Sequence, residues 1–297
     1  MLSILIRTYN DSVFEIVDEI NQQCQKLSFN YEILISDDDP NGDKVNEEEL
    51  MKFPNLKYWK NQSNLGRSNN LNKLIGASKF DYVLLLDNDV IPLRTNFIDI
   101  YLKKIKEECK VIYGGLSYEN TPPETNQRLR WLYGHKKEAK SVHIRKEKFK
   151  FDVLVSNLVL KKSAFAQPIF DTELMTYGYE DLIFSEGLKR NRIYVCHLDN
   201  PVIHKGLETS KEFLNKTETA LKNLIQLIKK GKLSKEVTPL SRAYFNLKSN
   251  KIEAIFRGCI GLFENSIKRN LVSDQPSLFR LNVYKLYFFS KYFQKND

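Results

Sequence analysis

Short apolar runs that stop on polar side chains recur through the first third of this chain. Ser3-Ile4-Leu5-Ile6 runs into Arg7-Thr8-Tyr9-Asn10, Tyr31-Glu32-Ile33-Leu34-Ile35-Ser36 into Asp37-Asp38-Asp39-Pro40, and Tyr82-Val83-Leu84-Leu85-Leu86 into Asp87-Asn88-Asp89. Runs this short and this apolar predict strands buried on both faces, the third of them in the middle of a parallel sheet. Between the first two, Val13, Ile16, Val17, Ile20, Cys24 and Leu27 recur at helical spacing and predict an amphipathic helix over 12–27. Strand, helix and strand within about 35 residues form a right-handed βαβ unit. Leu56-Lys57-Tyr58-Trp59 predicts another short strand, and a helix over 67–78 leads back to the strand at 82–87. Strands ending together in polar groups mark the edge of an open α/β sheet where ligands bind.

Further on, the pattern predicts a helix over 95–107 and a strand at Val111-Ile112-Tyr113-Gly114-Gly115. Thr121 to Lys150 reads as an irregular segment, and a loop of that length in a compact domain is usually functional or mobile. Strand pattern returns over 151–160, Gly178-Tyr179-Glu180-Asp181 opens a helix through Lys189, and 193–198 and 201–204 close the body. From 211 onward the pattern is helical, so a division into 1–210 and 211–297 is expected. The last part interleaves Phe, Tyr and Leu with Lys and Arg. There is no internal repeat.

Composition narrows this picture. Of 297 residues, 42% are apolar and 28% charged, ordinary values for a globular protein. Cys24, Cys109, Cys196 and Cys259 are scattered with no C-x-x-C pair, which argues for a reducing compartment and against a zinc site. The N-terminus lacks the basic and apolar regions of a signal peptide, and no run of 18 apolar residues is present to span a bilayer. A cytoplasmic location is expected. The net charge of +9 is unevenly placed: residues 211–297 hold 17 Lys/Arg against 7 Asp/Glu, and the first 210 hold 29 against 30. Such a tail is either a packed helical appendage with a solvated basic face or a peripheral contact with the inner face of a membrane, where anionic headgroups meet Lys and Arg.

Asp87 and Asp89, one residue apart at a strand's carboxyl end, are hard oxygen ligands suited to Mg²⁺ or Mn²⁺, with diphosphate oxygens completing the coordination. An acidic turn that merely ends a strand would look the same. Asp181, beside Glu180 at a helix start, is placed either to favour the helix dipole or to accept a proton from an attacking hydroxyl. Tyr177 and Tyr179 flank it with rings on which a sugar can stack. Trp131, Tyr133 and His135, in the irregular segment, are further aromatic candidates for a ligand surface.

Taken in order, these stretches resemble the inverting family-2 glycosyltransferases of the GT-A fold, bacterial type, over residues 1–205. Ser3 to Asn10 is similar to that family's S-x-I-I-P-T-Y-N opening, with Arg7 where proline is usual. Ile33 to Asp38 looks like its V-V-D-D strand end, and Asn64-Leu65-Gly66 with Asn72 keeps the spacing of its N-x-G segment. Leu86 to Asp89 matches L-D-x-D, and Gly178 to Asp181 matches G-x-E-D. The resemblance implies an α/β GT-A domain that moves a sugar from a nucleotide-diphosphate donor, UDP-linked by expectation, to a saccharide or lipid-linked acceptor by direct displacement. It places Thr8, Tyr9, Asn10, Asp37, Asp38, Asn64, Gly66, Asn72, Asp87 and Asn88 around the donor. Asp89 and His204 become metal ligands, Asp181 the base with Glu180 beside it, and Trp131 and Tyr179 acceptor contacts. Two rivals remain. A sugar-nucleotide nucleotidyltransferase usually opens on a Gly-rich loop, and residues 1–20 contain no glycine. A basic nucleic-acid-binding protein fits the tail, but the acidic cluster on the near-neutral body would repel phosphates unless metal were bound.

Overall fold

The computed structural model describes residues 1–174 and 178–295. β1 (Leu2–Thr8), α1 (Phe14–Gln25), β2 (Tyr31–Asp37), α2 (Glu47–Leu50), β3 (Leu56–Lys60), α3 (Arg67–Ala77) and β4 (Tyr82–Asp87) follow the apolar pattern closely, short α2 excepted. β1 pairs in parallel with β2 and β4, in a register that sets Thr8 beside Asp37 and Arg7 beside Asp87. Alternate residues face opposite sides of the sheet. Ile4, Ile6, Ile33, Ile35, Leu84 and Leu86 pack with α1, while Leu5, Leu34, Val83 and Leu85 pack with α3. Because both faces are covered, these strands carry no polar alternation.

The chain continues through β5 (Val90–Pro92), α4 (Phe97–Ile105), β6 (Val111–Tyr113), β7 (Leu116–Ser117), α5 (Arg128–Tyr133), α6 (Val142–Lys148), β8 (Asn157–Lys161), α7 (Glu180–Arg190), β9 (Cys196–His197) and β10 (Val202–His204). Among the described residues, seven strands form a mixed sheet in the order β3-β2-β1-β4-β8-β6-β9, and β5-β10-β7 form a small second sheet. β4 lies mid-sheet as expected, yet β8 runs antiparallel to it, so the parallel surroundings hold on one side only.

Three expectations need correction. Residues 121–150 are largely helical, not irregular. α6 reads Val-His-Ile-Arg-Lys-Glu-Lys, too charged for apolar periodicity to show. It is held instead by Arg145, whose guanidinium donates to the carbonyls of Tyr113, Gly114 and Leu198 at 3.0, 3.0 and 2.7 Å. The strand expected over 151–160 is β8, which begins only at Asn157. Finally, Cys109 and Cys196 form a disulfide with Cα atoms 6.4 Å apart, although 87 residues separate them. β6 and β9 are parallel neighbours with Ile112 beside Cys196, and this pairing of distant segments brings the thiols together. The scatter of cysteines therefore no longer points to a reducing compartment.

Among the described residues the chain divides into two compact units: 1–119, 137–175 and 180–206 form one, and 120–136, 176–179 and 207–297 the other. The second unit contains α5 and adds α8 (Ser210–Lys229), α9 (Pro239–Ser249), α10 (Glu253–Leu262), α11 (Glu264–Leu271) and α12 (Leu278–Lys295). Thr209 with Glu212, and Thr238 with Ser241, close capping boxes at the starts of α8 and α9. α12 packs against α8, α9, α10 and α11 and buries Tyr284 and Phe289 completely. Lys222 lies 4.8 Å from the Tyr292 ring and Lys229 4.7 Å from Phe293. The interleaving of aromatic and basic residues is thus in large part a core whose rings are roofed by lysines. No helix among the described residues is long and apolar enough to cross a membrane.

Candidate functional site

The polar ends of β1, β2 and β4 lie side by side because their registers align Thr8 with Asp37 and Arg7 with Asp87. Asp87 is nearly buried. Arg7 Nη2 lies 2.7 Å from its Oδ1, Arg67 Nη2 3.4 Å from its Oδ2, and Ser156 Oγ donates to Oδ2 at 2.7 Å. Burial alone would raise this carboxyl, but the two guanidiniums and the hydroxyl outweigh it and hold it at about 2.

Two residues further on, Asp89 meets a different environment. β10 pairs antiparallel with β5 so that His204 stands opposite Val90, which carries His204 Nε2 to 3.6 Å from Asp89 Oδ2. His204 stacks on the Tyr118 ring at 5.5 Å between centroids. Lys205 N–H donates to the Asp89 carbonyl at 2.8 Å, and a Cβ added to Gly206 would sit 2.5 Å from Asp89 Oδ2. Burial, with Asp87 adding to it, pushes the Asp89 carboxyl up against the pull of His204 and the arginines. Asp89 Oδ1 and His204 Nδ1 are buried without a hydrogen-bond partner. A carboxylate and an imidazole with unfilled capacity fit a divalent cation such as Mn²⁺ or Mg²⁺. Among the described residues no three His, Cys, Asp or Glu side chains converge, so such an ion would draw its remaining ligands from a bound diphosphate or water.

Asp181 opens α7. The Val155 N–H donates to its Oδ1 at 3.1 Å, and the neighbouring Glu180, nearly buried, receives Arg67 Nη1 at 2.7 Å. Burial, reinforced by Glu180 and Asp87, pushes the Asp181 carboxyl up to about 6, with Arg67 and the Val155 amide opposing the rise. Arg67, the first residue of α3 after the left-handed Gly66 (φ 76°), joins the Asp87 and Glu180 carboxylates. A carboxylate titrating near neutrality beside one held ionised is the arrangement that general-base chemistry uses.

The other predicted donor residues are near this edge but mostly engaged. Asp37 Oδ1 accepts from the Asn10 and Asp39 N–H groups at 3.0 and 3.1 Å, and Asp38 Oδ1 from Asn61 Nδ2 and Leu65 N–H at 2.8 and 2.9 Å. Asn10, left-handed at φ 46°, accepts from the Asp43 and Lys44 N–H groups through Oδ1. Thr8 Oγ1 donates to the Asp11 carbonyl, Asn88 Nδ2 donates to Asp11 Oδ2, and Asn64 Oδ1 accepts from Gly66 N–H. Asn72 exchanges both its amide groups with the Phe170 backbone. Tyr9, 56% exposed, is the ring this edge leaves free to solvent. Trp131 and Tyr179 belong to the second unit. Trp131 meets His135 edge-on at 4.5 Å, and Tyr179 takes φ 73° directly after Gly178 at φ 108°, whose added Cβ would lie 2.5 Å from that of Ala220. Two successive residues in left-handed backbone, one of them a tyrosine, store strain just before Glu180. Tyr177 lies outside the described residues.

Comparison with known proteins decides the family. The sequence model described as glycosyl transferase family 2 matches residues 3–165, more than half of the chain. The chain belongs to glycosyl transferase family 2. Chondroitin synthase of Escherichia coli is 25% identical over 291 residues, which span 85% of this chain and 40% of that protein. The chain thus spans less than half the length of this curated relative. Among solved structures, the mannosyltransferase PcManGT from Pyrobaculum calidifontis, in complex with GDP-Man and Mn2+, superposes with a TM-score of 0.58 at 10% identity, covering 100% of this chain and 87% of that one. TarS of S. aureus gives a TM-score of 0.50 at 16% identity, over 76% of this chain and 39% of its own. These likenesses show the GT-A fold that the motifs imply.

Within this family-2 fold, four side chains or backbone positions at the edge escape motif reading: Arg7, Arg67, Ser156 and Gly206. Arg7 did leave a signal, a cation at the end of a buried strand where the family carries proline. The other three are recruited from separate segments, and nothing in their local sequence announces it.

Proposed function

We propose that this chain transfers a sugar from a nucleoside diphosphate donor to a saccharide or lipid-linked acceptor hydroxyl, inverting the anomeric centre by direct displacement with the help of a divalent cation. The observation that carries the reading is the separation of the carboxyls on one sheet edge, Asp87 held at about 2 and Asp181 pushed to about 6. Of these two, Asp181 is the one placed to exchange a proton near neutral pH. It takes the proton from the acceptor hydroxyl as that oxygen attacks C1, and the bond from C1 to the diphosphate oxygen breaks on the opposite face. Asp89 and His204 would hold the cation, which supplies Lewis-acid stabilisation to the charge growing on the departing diphosphate.

Arg7 and Arg67 orient Asp87 and add fixed positive charge at the same edge, where they stabilise an incoming polyanion without reorganising. Tyr9 offers a ring face to the nucleoside base, and Thr8, Asn10, Asp37, Asp38, Asn64, Gly66, Asn72 and Asn88 are the other proposed donor-side residues. Trp131 and Tyr179 are the proposed acceptor contacts, since flat apolar rings suit sugar faces. A UDP-sugar is the donor expected first. A GDP-sugar is the second to try, because the mannosyltransferase of like fold is in complex with GDP-Man and Mn2+. The test is hydrolysis of a panel of UDP- and GDP-sugars with Mn²⁺ present and chelated. Turnover that ignores chelation removes the cation from the scheme, and a panel with no turnover and no binding removes the scheme itself.

A further inference from the structure

Thirteen large apolar side chains are exposed among the described residues, and six of them, Ile252, Ile255, Leu262, Phe263, Val272 and Phe279, fall between 252 and 279. Scattered surface leucines need no explanation, but a concentration of this kind does. Four of the six flank or lie on α10. At 3.6 residues per turn, Ile252, Ile255, exposed Cys259, Leu262 and Phe263 share an arc of about 100°. Leu262 is 84% exposed, Ile255 66% and Phe263 59%. No charged residue falls on that arc.

The face is held, not frayed. On the opposite side of α10, buried Glu253 accepts from Ser290 Oγ, from Gln294 Nε2 at 2.6 Å and from Arg257 Nε at 3.2 Å, and Gly261 lies against the Tyr287 ring. Buried polar bonds to α12 therefore fix which side of α10 looks outward. The segment that carries it is basic. Lys251, Arg269 and Arg280 are exposed and carry no acidic partner among the described residues. Of the three acids in 251–280, Glu253 is buried and Glu264 is tied to Lys268 and Lys291, which leaves Asp274 alone in solvent.

We propose that the outward face of α10 docks on an anionic lipid bilayer, with Ile255, Leu262 and Phe263 entering the headgroup–acyl boundary and Lys251, Arg269 and Arg280 meeting lipid phosphates. A helix of ten residues is about 15 Å long, enough to lie in the interface and too short to cross it. A bilayer matches both the apolar arc and the uncompensated basic charge of the segment that carries it. A two-fold pairing of copies through the same face would instead bring two like-charged segments together. This surface uses no part of the sugar-transfer reading and stands or falls separately from it.

The test is cosedimentation of the full chain with phosphatidylcholine vesicles carrying ~30% phosphatidylglycerol and with vesicles of phosphatidylcholine alone. The wild type is expected to sediment with the anionic vesicles, less so as salt rises. Leu262→Ser with Phe263→Ser is expected to lower that binding by about ten-fold or more. Met51→Ser, at a residue 79% exposed in the other unit, is expected to leave it unchanged, and both variants are expected to keep the wild-type circular dichroism spectrum and melting temperature. Equal binding by the double variant, or no sedimentation of the wild type at low salt, overturns the proposal. So does a dimer that the double variant dissolves while vesicles bind neither protein.

Discussion

The carboxyl end of β4 and the start of α7 carry the same residue type under opposite conditions. Asp87 is nearly buried, yet Arg7, Arg67 and Ser156 surround it and hold it ionised down to about 2. Asp181 has one backbone N–H and a more distant arginine to offset its burial, with Glu180 beside it, and rises to about 6. Burial acts in the same direction on both. The supply of donors and cations decides the outcome, so one carboxylate becomes a fixed charge and the other a group that exchanges its proton near neutrality. Arg67 touches both regions, since it bonds Asp87 and Glu180 and is the strongest influence lowering Asp181.

The sharpest way to break this comparison is Asp181→Asn. Transfer should fall by roughly 10²–10⁴-fold while donor binding persists. A variant that keeps more than about a tenth of wild-type turnover shows that Asp181 is not the base. The wild-type rate should also lose activity below about pH 6, where the Asp181 carboxyl becomes protonated. Next in size is Arg67→Met, which breaks the buried Arg67–Glu180 pair and should cost about 3 kcal/mol of stability by denaturant unfolding. Because Arg67 lowers the Asp181 carboxyl, the surviving activity should have its acid limb moved above the wild-type position. An unmoved limb would mean that Arg67 is only structural.

A third effect separates the two carboxyls by stability alone. Asp87, held below its ordinary value of 3.8, contributes stability that is complete above that value and disappears as pH falls towards about 2, a term of about 2 kcal/mol. Asp181, held above the ordinary value, works with the opposite sign. The fold favours its protonated form, so stability declines as pH rises through about 6. Melting followed from pH 7 to pH 2 should rise first and then fall, and Asp181→Asn should flatten the rise while sparing the fall. The smallest expected change belongs to Gly206→Ala. Its Cβ would displace the Asp89 carboxylate, and the Mn²⁺ concentration for half-maximal hydrolysis should increase about ten-fold.

The second unit holds a parallel lesson about aromatic residues. Interleaved Phe, Tyr and Lys fitted either a packed helical appendage or rings available to a membrane; Tyr244, Tyr284 and Phe289 are buried, and lysines roof several of the rings around them. The exposed apolar face is on α10, inside the stretch from Ile252 to Phe263 of that same interleaved tail. Composition measured the right ingredients there. Which of them faced outward depended on the Glu253 bonds to α12.

By itself the sequence settles the first four strands, the helices α1, α3 and α4, the acidic strand end and the family, since each is written in neighbouring residues: a burial period, a turn or a short motif. Helices expected over 12–27, 67–78 and 95–107 appear as α1, α3 and α4, shorter by a residue or two at their ends. What the tertiary structure decides is everything set by partners far along the chain. The antiparallel β8, the Cys109–Cys196 disulfide, the meeting of Asp89 with His204 through β5 and β10, and the arginine pair on Asp87 all depend on segments brought together by folding. Electrostatic environment acts through space, and local pattern carries no record of the distance between residues remote in sequence.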